Sequence, residues 1–193
     1  MRRFSILTFV TLIFLLVMSA SVALVQAESP HFLPQTGQPS CTVTLTSTAD
    51  GTSASVTCTG TLAGLANADL VINVAVSGFA LYTCENNGGN QAAGQNKVLV
   101  GPDVSSTAIP ASGLKNGRLK FTTNPAESDA AATVSGATAG CPNPNWTGVD
   151  PVVTVTAVTL TVFQPADTKI LTCSQQNPNG LTGNFTFTNC TFP

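Results

Sequence analysis

Six cysteines are the residues of this sequence best suited to chemistry: Cys41, Cys58, Cys84, Cys141, Cys173 and Cys190. None stands in a CxxC pair and only one histidine, His31, accompanies them, so neither a zinc site nor a thiol-redox couple has its ligands. An even number in a chain that opens with an export leader reads instead as three disulfides. Acid–base catalysis lacks its parts as well. His31 stands in an irregular stretch near the N-terminus, and most of the nine carboxylates, such as Asp50, Glu85, Asp103, Asp150 and Asp167, sit in turn-forming contexts. Glu127 and Asp129 would face the same side of a strand, but a glycosidase-like pair also needs a cleft and aromatic platforms, so they read as a solvated loop. No catalytic residue, no metal ligand and no cofactor is therefore expected.

Binding chemistry has better candidates. Trp146, the only tryptophan, ends the run Cys141-Pro142-Asn143-Pro144-Asn145-Trp146, where two prolines stiffen the backbone and a cysteine tethers it. Exposed, its ring would stack on a sugar; the favoured reading is a plug at the edge of the fold beside a disulfide, because burying an indole brings a large apolar gain. Tyr82 is the second stacking candidate. Asn86, Asn87 and Asn90 belong to a turn-rich stretch from Glu85 through Gly88-Gly89 to Gln91 and Asn96, whose amides would meet ligand hydroxyls. The same oxygens are hard donors for calcium, but their spacing matches no established calcium loop, so plain turn chemistry is expected.

The elements that hold these residues read as strands. Cys41, Val43 and Leu45 alternate with threonines, as do Ala54, Val56 and Cys58 with Ser55 and Thr57, which is the period-two pattern of β-structure. A loop of Thr48-Ala49-Asp50-Gly51 places Leu45 opposite Ala54, Val43 opposite Val56 and Cys41 opposite Cys58, all on one face. Leu70, Ile72, Val74 and Val76 mark one face of a long strand that runs past Gly78, a candidate bulge, to Tyr82 and Cys84. Asn116-Gly117 signals a two-residue hairpin setting Leu114 against Leu119 and Ser112 against Phe121, with Pro110 making the incoming strand an edge. The stretch from Ala126 to Gly140 fits a short helix, an edge strand or a linker. Val153, Val155 and Ala157 share one parity and Val158, Leu160 and Val162 the other, which calls for a bulge near Ala157 and leaves room for a change of sheet. Strands at Thr168 to Cys173 and Asn184 to Phe192, with Asn177-Pro178-Asn179-Gly180 turning between them, close the fold. No helical period is sustained. The fold class is thus all-β, an antiparallel β-sandwich, Ig-like or jelly-roll-like, stapled by disulfides. With Cys41 matched to Cys58, three pairings remain for the other four cysteines. Cys173 and Cys190 flank one turn and are paired, which leaves Cys84 with Cys141.

The N-terminus explains the oxidising setting. Met1-Arg2-Arg3 and the apolar run Phe4 to Val25, ending Val25-Gln26-Ala27, form a secretory signal over residues 1–27, with an uncleaved anchor as the competing reading. Residues 28–40, with Pro30, Pro34, Gly37 and Pro39, are expected to be extended and outside the core, and residues 41–193 to form one domain. Leu33-Pro34-Gln35-Thr36-Gly37 carries the letters of the Gram-positive sorting signal, which acts near a C-terminus before an apolar stretch and a basic tail; here it reads as fortuitous. Charged residues make up 8% of the chain and the net charge is −2, so threonine, serine, asparagine and glutamine carry the solubility. Nucleic acid and anionic lipid, which need clustered lysine and arginine, are excluded as partners, and no membrane contact is expected after signal cleavage.

The segments Gly89-Asn90-Gln91 to Gly94-Gln95-Asn96 and Cys141 to Trp146 resemble segments of uncharacterised secreted proteins from bacteria, over a span from Leu70 to Cys173. That resemblance implies export and one intact domain and brings no activity with it. The expected function is a secreted or cell-surface module without catalysis, structural or binding in role, with an extracellular ligand such as a glycan or cell-wall polymer. A carbohydrate-binding module using Trp146, Tyr82 and the Asn/Gly-rich loop is the sharper alternative. A secreted hydrolase, or an inhibitor presenting the Pro142 to Pro144 turn, comes third.

Overall fold

The computed structural model describes residues 29–33 and 38–193; the expected leader and residues 34–37, most of the sorting-signal letters, lie outside the described residues. Among the described residues, thirteen strands form two antiparallel sheets. The first holds β1 (His31–Phe32), β2 (Ser40–Thr48), β3 (Gly51–Ala63), β7 (Leu119–Thr122), β8 (Ala126–Ser128) and β12 (Gly183–Thr186). The second holds β4 (Leu70–Glu85), β5 (Gln91–Ala93), β6 (Val98–Ile109), β9 (Val134–Ser135), β10 (Thr147–Phe163), β11 (Lys169–Gln176) and β13 (Asn189–Thr191). Their inner faces pack together as a sandwich.

Strands β4 and β10 are the spine, paired from Val71↔Phe163 to Glu85↔Thr147. Strict alternation buries Leu70, Ile72, Val74, Val76, Ala80, Tyr82 and Cys84. Each buried Val or Leu contributes ~1.5–3 kcal/mol relative to leaving it in water. On β10 the parity breaks as expected, with a register shift between Val155 and Ala157, and the extra residue returns Val153, Val155, Val158, Leu160 and Val162 to one buried face. The strand does not change sheets there, because β4 follows it on both sides of the bulge. Gly78 faces the same spot: a Cβ there would run into the Thr154 carbonyl, so only glycine lets the two backbones close up.

The β2–β3 hairpin has the expected register throughout, Leu45↔Ala54, Val43↔Val56 and Cys41↔Cys58. Thr48 pairs with Gly51, so the loop is the two residues Ala49 and Asp50 rather than four. Leu45 shares the inner parity but is 52% exposed, since the sandwich opens at this end of β2.

Other expectations are corrected. Pro110 ends β6, but a 3-10 turn over Ala111–Gly113 follows, so Ser112 is not opposite Phe121, nor Leu114 opposite Leu119. Asn116 and Gly117 do form the tight turn, with φ of 52° and 67°, closed by the single Lys115↔Arg118 bridge. The outgoing strand β7 pairs instead with β3, Leu119 with Leu62 and Phe121 with Gly60, because that register buries both apolar side chains and lays the Phe121 ring over a residue without a Cβ. His31 and Phe32 are not outside the fold. They pair with Ala63 and Leu62, satisfying backbone groups of β3 beyond the reach of β2, and Phe32 packs on the core and edge-on against Phe192 at 5.5 Å. Gln91–Ala93 is a strand on β4, so the expected long loop is a short hairpin followed by a strap.

The chain between Cys173 and Cys190 does more than turn. After the Asn177–Gly180 turn, Leu181 donates to the Val155 carbonyl, β12 joins β2 in the first sheet, Phe187 is buried, and β13 returns to β11 with Cys190 opposite Cys173. This crossing laces the two sheets. All three disulfides join the expected partners: Cys41–Cys58 and Cys173–Cys190 with Cα atoms 4.0 Å apart, and Cys84–Cys141 at 5.6 Å. No helix among the described residues is long and apolar enough to cross a membrane.

Candidate functional site

The Cys84–Cys141 disulfide gathers the binding candidates at one end of the second sheet. Cys84 is buried between Ala92 of β5 and Gly148 of β10, and its disulfide reaches Cys141 just past a one-turn helix, Gly136–Ala139. The stretch from Ala126 to Gly140 thus resolves into β8, β9 and this helix, each too short to show a period. Ser135 caps the helix by accepting the Thr138 N–H at 3.2 Å, and Gly140, at φ 70°, ends it. Gln95 and Asn96 strap it down: their N–H groups donate to the Gly140 and Ala139 carbonyls, and Asn96 Nδ2 donates to the carbonyls of Ala137 and Thr138. Sequence reasoning assigned Asn96 to a loop; a lone asparagine gives no signal that it will close a helix 41 residues away.

The asparagines of the turn are occupied with one another. Asn86 Oδ1 accepts from Gly88 N–H at 2.9 Å, Asn90 N–H at 3.0 Å and Asn90 Nδ2 at 3.3 Å, while Gln91 Nε2 donates to Glu85 at 2.8 Å. Asn87 is exposed. This is turn chemistry, as expected, and it leaves the Asn86 oxygen little capacity for a hydroxyl or a cation. Among the described residues no three His, Cys, Asp or Glu side chains converge as a metal site.

Trp146 is half-buried against the core, one residue before the Thr147↔Glu85 pair, so it stands beside the Asn86 turn. The turn behind it is locked: Asn145 N–H donates to Asn143 Oδ1 and Trp146 N–H to the Asn143 carbonyl, while Gly136 lies so close to the Trp146 carbonyl that a Cβ would not fit. Tyr82 is not a stacking platform. It is 3% exposed on the inner face of β4, and its hydroxyl donates to the Ala131 carbonyl at 2.8 Å. Burial pushes its phenol above the ordinary 10.0. The even parity it shares with the core residues of β4 was the signal for this.

Beside Tyr82 the structure opens a hollow of about 200 Å³, walled by Val98, Leu99, Val100 and Val134 and rimmed by Asp103, Asp129 and Ala131. Its two carboxylates come from different sheets' edges. The bulge at Gly101–Pro102 sets Asp103 opposite Val76, on the inward row, while Asp129 follows β8. Asp129 therefore lines the same hollow as Asp103, whereas Glu127 is exposed on β8. His31 is remote in pairing, on the β3 end of the first sheet, and bonds the Ser29 carbonyl. Leu99, which borders the hollow, is 86% exposed and is paired with Phe79 on the outer row of the sheet; Lys97 Nζ lies 4.2 Å from that ring's centre, and Leu81 pairs with Val152 in the next row. An apolar ridge this exposed on a polar protein is the feature that sequence reasoning missed. No protein-family model matches the chain, no curated protein matches it, and no solved structure matches its fold.

Proposed function

We propose that this protein is a secreted or cell-surface module without catalytic activity, whose rigid end beside Cys84–Cys141 binds an extracellular ligand of the glycan or cell-wall polymer class. The observation that carries the reading is the hollow beside Leu99. Two carboxylate acceptors suit the hydroxyls of a neutral polyol, and apolar walls suit the C–H faces of a sugar ring. At about 200 Å³ it is smaller than the ~300–1,000 Å³ of a small-molecule cleft, so it would take the end of a chain rather than a whole free ligand. Trp146 serves this reading as a half-buried structural plug, and the disulfides and the helix strap hold the rim ready without an ordering cost at binding.

Binding to a panel of glycans and cell-wall polymers, with Asp103→Asn, Asp129→Asn and Trp146→Ala beside the wild type, tests it. Loss of binding in the two Asp variants with Trp146→Ala little changed is the expected result. Turnover of ester, glycoside or peptide substrates that disappears in an Asp variant would replace the module by a hydrolase.

A further inference from the structure

The two sheets treat their edges differently. Along β6, Asn124 Nδ2 donates to the Ser106 carbonyl, Pro102 has no N–H to offer, and Asp103 points inward, all devices that stop another strand from adding. The β11 edge carries Lys169 and is covered by β13 at Thr172–Ser174. In the first sheet, β12 covers β2 only from Ser40 to Val43; among the described residues no strand pairs with Thr44–Thr48 on that side.

The open stretch has its polar groups aimed outward. Cys58 gives its N–H to Thr123 Oγ1 and accepts the Thr123 N–H on its carbonyl, so its backbone groups turn away from β2. Cys41 and Cys58 are therefore a non-hydrogen-bonded pair, and the odd residues of β2 direct N–H and C=O away from β3. Cys41 and Val43 meet β12 in this way. Leu45 and Ser47 continue the row with no strand opposite, and the register of β2 on β3 runs without a bulge to the turn.

We propose that Thr44–Thr48 is a self-association edge, where a second copy of this chain adds antiparallel about a two-fold axis at Thr46. The segment Thr-Leu-Thr-Ser-Thr has no charge and no proline, so reversing it against itself opposes no like charges. With the axis at Thr46, Leu45 faces Ser47 of the second copy and Ser47 faces its Leu45. Both are outward-directed residues, so each pair exchanges two backbone bonds. The two half-exposed Leu45 side chains fall on one face as diagonal neighbours and cover each other. The slot ends where β12 begins, at Gly183 opposite Val43. The interface is small, and the association is accordingly weak and concentration-dependent.

Sedimentation velocity of the full mature chain, up to about 1 mM, tests this. Wild type moves from monomer to dimer with concentration. Ser47→Pro deletes only an outward N–H, and Leu45→Lys puts a charge on the edge; each weakens association by at least about tenfold while the melting temperature and three disulfides stay as in wild type. The chain has no free cysteine, so Thr46→Cys adds one thiol, which cross-links across the axis faster than Thr44→Cys or Thr48→Cys does. A wild type that stays monomeric over the whole range overturns the proposal, as do folded Ser47→Pro and Leu45→Lys proteins that associate like wild type, or cross-linking with no preference for position 46.

Discussion

The β2–β3 hairpin and the cluster tied by Cys84–Cys141 are both stapled by a disulfide, yet they are held in different ways. In the hairpin, Cys41 and Cys58 are one pair in a ladder of nine that runs from Ser40↔Thr59 to Thr48↔Gly51. Remove the staple and the register is still set by Val43 against Val56 and by the turn. Around Cys84–Cys141, the pieces are a three-residue strand, a four-residue helix and a turn, none able to hold itself. They depend on the disulfide, on the Asn96 strap and on the Tyr82 hydroxyl. The hairpin's register is set within itself; the cluster exists only as tertiary structure, and it is where the hollow opens.

The largest effect expected from breaking that comparison is in the cluster. Cys84→Ser with Cys141→Ser frees a loop of 57 residues, which relaxes the unfolded chain by ~4 kcal/mol. Calorimetry should show a fall of roughly 10 °C in the melting temperature, and ligand binding at the hollow should go with it. Cys41→Ala with Cys58→Ala opens a loop of 17 residues, worth about 3 kcal/mol, so the melting temperature drops by less, roughly 8 °C, and binding survives. Equal losses of binding in the two double variants would erase the distinction.

Within the first sheet, Gly60→Ala sets a Cβ about 2.8 Å from the Phe121 ring and 3.3 Å from Pro39. Both neighbours are fixed, so a loss of about 2 kcal/mol in chemical denaturation is expected. Tyr82→Phe removes the bond to the Ala131 carbonyl and should cost about 1 kcal/mol. Tyr82 also gives the cluster a pH signature, because it is the only tyrosine. Its folded pKa lies above the unfolded 10.0, so the unfolded chain loses its proton first. The stabilisation is complete below pH 10.0 and declines as the pH rises through the higher folded value. Spectroscopic titration should find tyrosinate delayed in the native protein, and Tyr82→Phe should lack this part of the alkaline destabilisation.

What the sequence disclosed follows the same division. Alternation of Cys41, Val43 and Leu45 with threonines is local, and it specified the register of the hairpin and its disulfide, though not the length of its turn. The parity break at Ala157 was visible because five apolar residues on two parities must share one core. The remainder depended on distant partners. Phe121 left its own hairpin for Gly60, since that strand offered burial; Tyr82 became a core residue with an anchor at Ala131; and Asp129 shares a hollow with Asp103 only because the edges of two sheets meet. No spacing along the chain encodes such encounters.

The proposal that a binding end without catalysis is built around the Leu99 hollow is tested most directly by NMR titration of the isotopically labelled protein with cell-wall polymer and glycan fragments. Saturable amide shifts confined to Val98–Asp103 and 129–134 are expected, absent in Asp103→Asn with Asp129→Asn, with no change in the fragments themselves. Shifts centred elsewhere on the sandwich, or fragments cleaved during the titration, would contradict it.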